Sequence, residues 1–176
     1  MTTPRPWAWF LGAAAALIGV SMAKKKASSK RKGEPIISSL DELQPAFRVQ
    51  LERLLELMRA DGYAPRVFET KRSDARVAEL VAKGTGSVGS LHPLGLAADI
   101  IDEKLGWKAS PDFWRALGEN AAQLGLGRVQ HTNPKTGKTE LDLPHVQALP
   151  GRFDAQLRAM PTALRDAFLT ARYAAA

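Results

Sequence analysis

The stretch Ser90–Asp102, SLHPLGLAADIID, constrains this chain more than any other. It leaves a glycine-containing loop, TGSVGS, and runs into LGLAADIID, a mostly apolar segment of strand length with Asp99 inside it. Two readings fit. One is a buried strand that follows a turn. The other is a rigid support for a pair of metal ligands, His92 in the loop and Asp99 in the strand, with small residues (Gly95, Ala97, Ala98) leaving room for close backbone approach.

The flanking sequence fixes the fold class. Ser39 and Glu42 have capping-box spacing, and Leu51, Leu54, Leu55 and Met58 follow at i, i+3, i+4 and i+7, so a helix is expected to run to about Ala60 and stop at Asp61-Gly62. YAPRVFET reads as a strand in which Pro65 implies an edge or an early position. SDARVAELVAKG is a second helix ending at Gly84, and Pro111 to Leu124 is a third, burying Phe113, Trp114, Leu117 and Ala121. GRVQHT, NPKTGK and TELDLPHVQ read as strand, turn and strand, and a last helix spans roughly Thr162 to Tyr173. Helices accompany short separate strands without strict alternation. The class is therefore α+β, a small antiparallel sheet flanked by helices.

Charge divides the chain. The net of +7 comes largely from residues 1–35, where seven Lys and Arg stand against Glu34 alone; the remainder holds 18 basic and 17 acidic residues. A nucleic-acid-binding domain carries its basic patch on the fold itself, so the near-neutral remainder argues against that class. Trp7–Ala23, 17 residues without a charge, fits a signal-peptide core and also the short limit of a membrane span. Ser21 and Ala23 favour cleavage, whereas KKKASSKRK just after them favours a flank retained in the cytoplasm. The expected organisation is a signal peptide or single anchor over residues 1–23, a basic flexible linker over 24–38 and one domain over 39–176. The linker's charges can also hold it against anionic lipid.

The chain has no cysteine, so any metal is held by nitrogen and oxygen donors. Only His92, His131 and His145 supply nitrogen ligands. Catalytic zinc commonly uses three protein ligands, and DLPHVQ offers a third in His145, with Asp142 three residues before it as a candidate general base. Two histidines with one ligand carboxylate and one free carboxylate make a hydrolase site rather than a closed structural one. His131, paired across the expected hairpin with Glu140, is either a substrate contact or a half-exposed strand residue.

Residues Ser90 to Asp99 fit S-x-H-x-x-G-x-A-x-D, and Asp142-Leu143-Pro144-His145 adds an acid three residues before a histidine. In this order the two segments resemble the motifs of the zinc D-alanyl-D-alanine carboxypeptidases and L-alanyl-D-glutamate endopeptidases, the VanY-like and phage endolysin peptidases whose fold is related to Hedgehog signalling domains. ETKRS, Glu69 to Ser73, resembles the family segment whose arginine faces the substrate. The resemblance spans about residues 40–150. It implies Zn2+ held by His92, Asp99 and His145, Asp142 as base, Arg72 on the developing oxyanion or on a substrate carboxylate, and Ser90 hydrogen-bonding near the site.

The implied substrate is a peptidoglycan stem peptide, cut between L-Ala and D-Glu or at the terminal D-Ala-D-Ala, by a monomer in the cell envelope associated with membrane through its N-terminal segment. GRVQHTNPKTGKTEL departs from the family, which often has a Gly-Gly-aromatic stretch there, so one cleft wall is expected to differ. The alternatives are a catalytically silent zinc module that holds a wall peptide or protein partner, and a cytoplasm-facing anchored protein that uses KKKASSKRK on lipid or nucleic acid.

Overall fold

The computed structural model describes residues 33–132 and 136–175. The expected leader, and residues 24–32 of the expected linker, lie outside them. Among the described residues no helix is long and apolar enough to cross a membrane.

The first long helix, α1 (Pro45–Ala60), starts at a proline, which is pre-set for a first helical position and has no N–H to leave unpaired. This corrects the expected start. Ser39 caps a short 3-10 turn, Leu40–Glu42, where its side chain accepts from the Asp41 N–H, and Glu42 instead receives Lys71 Nζ at 2.8 Å. The buried stripe of α1 comprises Phe47, Gln50, Leu51, Leu54, Leu55 and Met58. Complete burial of Leu51, Leu54 or Met58 contributes roughly 1.5–3 kcal/mol each before entropy is counted.

Strand β1 (Pro65–Glu69) begins at its proline and lies at a sheet edge, where a missing N–H costs no ladder bond. Helix α2 (Asp74–Ala82) is capped by Ser73, which accepts from the Arg76 N–H at 3.0 Å, and Gly84 takes φ 72° just beyond it. Strand β2 (Ala97–Asp102) is the buried run read from the sequence. Helix α3 (Pro111–Gln123) is capped by Ser110 and buries the expected Phe113, Trp114, Leu117 and Ala121.

The segment expected to form one hairpin forms more. Strands β3 (Gln130–Thr132) and β4 (Thr139–Leu141) pair as a separate two-stranded sheet, with His131 opposite Glu140 and Thr132 opposite Thr139. TELDLPHVQ does not continue as one strand. It breaks at Asp142–Pro144, and β5 (His145–Gln147) joins β2 in the other sheet, because Pro144 cannot donate to a ladder and the chain turns there. Two helices follow, α4 (Asp154–Ala159), which was not anticipated, and α5 (Thr162–Ala174).

The main sheet is antiparallel, in the order β1-β2-β5. Ala98, Ile100 and Val146 belong to the same hydrophobic cluster as the apolar stripes of α1 and α3. At its amino-terminal end the described chain is tied to this body: Ile37 bridges Lys71, and the Thr70 hydroxyl donates to the carbonyls of Ile37 and Ser39. The mixed α+β class with a small antiparallel sheet holds.

Candidate metal centre

Sheet register brings the site together. Asp99 on β2 lies opposite His145 on β5 and opposite Glu69 on β1, so the three form one row across the sheet. The row depends on an irregularity. Val67 pairs with Ile100, yet the next pair is Glu69 with Asp99, so Phe68 is the extra residue of a β-bulge. In strict register Phe68, rather than Glu69, would oppose Asp99.

His92 enters from the loop at the start of a 3-10 turn, His92–Leu94, that closes on Gly95 with φ 66°. A side chain at Gly95 would be strained by that φ, and its Cβ would lie 2.5 Å from the Glu42 carbonyl oxygen. The room expected at Gly95 for close backbone approach is taken by the chain at Glu42–Gln44, where the Gln44 N–H donates to the Gly95 carbonyl at 2.9 Å. The turn delivers His92, fully buried, to the sheet row.

Three donor atoms converge. His92 Nε2 lies 3.3 Å from His145 Nδ1, and each lies 3.4 Å from Asp99 Oδ1. A tetrahedral ion about 2.0–2.1 Å from each donor would space them about 3.3–3.4 Å apart. The protons point elsewhere. His92 Nδ1 meets the Thr70 carbonyl at 2.7 Å, and His145 Nε2 meets Gln147 Oε1 at 3.2 Å, both pure acceptors, so each neutral ring spends its single N–H outside the triangle. The two ring lone pairs and the carboxylate oxygen then face one another with no proton between them. That arrangement suits a cation, and the three residues fit zinc in donor type, number and spacing.

The electrostatics agree. Burial pushes His92 below the usual histidine range, which keeps its ring neutral. The other Asp99 oxygen, Oδ2, accepts from Arg72 Nη2. Arg72 Nε donates to Glu69 Oε2 at 2.6 Å, and Arg76 Nε donates to Glu69 Oε1 at 3.3 Å. The chain Arg76–Glu69–Arg72–Asp99 fixes the carboxylate plane and leaves Oδ1 for the triangle.

Asp142 stands at the break between β4 and β5. Its N–H donates to the Val129 carbonyl at 3.0 Å, and its own carbonyl accepts from the His145 N–H at 3.3 Å and from Arg128 Nη2 at 3.4 Å. Burial pushes its carboxyl above the usual range. Its side chain borders a cleft of about 210 Å³ whose walls include Arg72, Ser90, His131, His145 and Arg158. Ser90 also accepts the His92 N–H at 3.3 Å. Past His131 and Asp142 the cleft continues into a groove walled by Trp107, Leu141 and Leu143, all substantially exposed.

Thus the sequence-selected His92, Asp99 and His145 form the triangle, and Asp142, Arg72, Ser90 and His131 line the adjoining cleft. Sequence reading missed Glu69, Arg76, Gln147 and Asp154. The Glu69–Arg72 spacing and the position of Gln147, two residues along a strand from His145 and so on the same face, were the available signals.

No known protein-family pattern matches the chain, and no curated protein matches it. Among solved structures, the L-Ala D-Glu endopeptidase ChiX of Serratia marcescens is similar at 26% identity and a TM-score of 0.45, over 68% of this chain and 92% of that one.

Proposed function

We infer that this chain is a zinc peptidase acting on the peptide stem of bacterial peptidoglycan, as L-alanyl-D-glutamate endopeptidase or D-alanyl-D-alanine carboxypeptidase. The observation that carries the reading is the three-donor triangle with both imidazole protons committed elsewhere. The substrate class rests on the resemblance of Ser90–Asp99 and Asp142–His145 to the motifs of that peptidase family.

When bound, zinc supplies Lewis acidity toward a scissile carbonyl. The chain's own groups do the rest. Asp142, beside the triangle and raised by burial, accepts and returns the proton moved during hydrolysis. Arg72 holds Asp99 in its ligating orientation; its Nη1, which makes no hydrogen bond among the described residues, is available to a carbonyl or carboxylate oxygen in the cleft. The groove beyond Asp142 gives an extended peptide room to continue past the cleft. A carboxylate in the position of a base favours turnover over silent binding. The substrate places the enzyme in the cell envelope, with residues 1–23 as its export signal or anchor.

The test is mass spectrometry of defined stem peptides incubated with the full chain, with zinc and with a chelator. A metal-dependent product supports the reading, and its mass names the bond. Peptides left intact by folded, zinc-loaded protein would overturn catalysis in favour of a binding module.

A further inference from the structure

The orientation of His145 is enforced from outside the triangle, by residues that no motif covers. Gln147 is buried and lies on the same face of β5 as its neighbour two residues back. Its side-chain NH2 donates to the Leu149 carbonyl at 2.8 Å and to Asp154 Oδ1 at 2.7 Å. Neither partner can donate in return. The amide is therefore fixed with Oε1 toward His145 Nε2, and a flipped amide would lose both bonds and set oxygen against oxygen.

This selects a tautomer. With Oε1 facing it, His145 Nε2 carries the proton and Nδ1 keeps the lone pair that points at Asp99 and His92. A flipped Gln147 would donate to Nε2, and the proton would move to Nδ1, inside the triangle. Asp154, the first residue of α4, lies beyond residues 40–150, where the family resemblance runs, and it also borders the cleft.

We propose that Gln147 and Asp154 form a positioning relay that holds His145 in its Nε2–H form and thereby sets the affinity of the triangle for its metal. Outer partners of this kind typically contribute 10–100-fold in metal affinity. The relay makes the C-terminal helical segment part of the metal centre rather than a cover over the core. The inference rests on the zinc reading above.

The experiment uses the full chain, 15N-labelled at histidine, with zinc removed and then titrated back against a chromophoric chelator. Three histidines make the ring signals assignable. In the metal-free wild type, His145 is expected as Nε2–H and His92 as Nδ1–H. Gln147→Leu is expected to shift His145 toward Nδ1–H, to leave His92 unchanged and to weaken zinc binding roughly 10–100-fold. Asp154→Leu gives a smaller loss in the same direction, and Asp154→Asn, whose side-chain oxygen still accepts from Gln147, restores wild-type behaviour.

A Gln147→Leu protein that keeps both the His145 tautomer and the zinc affinity overturns the relay. Should that variant fail to fold, Asp154→Leu decides in the same way, and an unchanged tautomer and affinity overturn the proposal. A wild-type chain that binds no zinc overturns the metal reading itself and the relay with it. Tight zinc binding that is indifferent to both substitutions overturns the relay alone.

Discussion

The main sheet and the β3–β4 hairpin both contribute to the site, by opposite means. Asp99 and His145 sit on strands buried along nearly their whole length, and each ligand is held by further side chains that are themselves held. The hairpin has Thr139, Glu140 and Leu141 all exposed, and the Thr132 and Thr139 hydroxyls meet across its strands at 2.9 Å. It borders the cleft through His131, and Asp142 just past β4 is pinned by backbone hydrogen bonds. The geometry of the donor triangle is thus built into the core, whereas the cleft wall is added at the surface. A surface hairpin can change in sequence and length without disturbing the three-donor triangle.

Substitutions can break that contrast. The largest effect is expected from His145→Ala, which removes a ligand: zinc affinity should fall by more than the roughly 100-fold typical of losing an outer partner, and turnover should vanish with it. Asp142→Ala should separate the two functions, retaining zinc in a chelator competition while turnover falls by about 10²–10⁴-fold. Equal zinc loss in both variants would contradict the roles assigned to them.

Glu69→Ala probes how far the sheet's rigidity depends on its charge network. Glu69 is 1% exposed and joins two half-buried arginines, so its loss leaves Arg72 with Asp99 alone and Arg76 with Glu79 alone and should destabilise the fold by about 1–3 kcal/mol in urea unfolding. Thr139→Ala in the hairpin should change stability by no more than about 0.5 kcal/mol, measured the same way, with zinc affinity unaltered. A hairpin substitution as costly as Glu69→Ala would erase the distinction between the two regions.

How much of this was legible in the sequence follows from the same contrast. Helices α1 and α3 and the buried strand β2 announce themselves because burial imposes periodicity on their residues. The donors His92, Asp99 and His145 are legible because metal chemistry restricts residue type and the strand fixes spacing. What escaped depends on register and tertiary contact. The bulge at Phe68, which brings Glu69 into the row, has no local signature, and the break at Asp142–Pro144 passed as one strand because Leu141, Leu143 and Val146 keep apolar residues on both sides of the proline. Ser39 and Glu42 kept capping-box spacing while serving a 3-10 turn and a salt bridge to Lys71, so spacing alone named the wrong helix start. Asp154 reaches Gln147 from a helix that the chain's periodicity did not reveal.

The central claim is that three protein donors form one side of a tetrahedral zinc site. X-ray absorption at the zinc edge of the loaded full chain tests it most directly. The account predicts one zinc per chain with four nitrogen or oxygen neighbours at about 2.0–2.1 Å, two of them imidazoles, and one imidazole fewer in whatever zinc His145→Ala still retains. A six-coordinate shell of oxygens, or a shell that His145→Ala leaves unchanged, would contradict it.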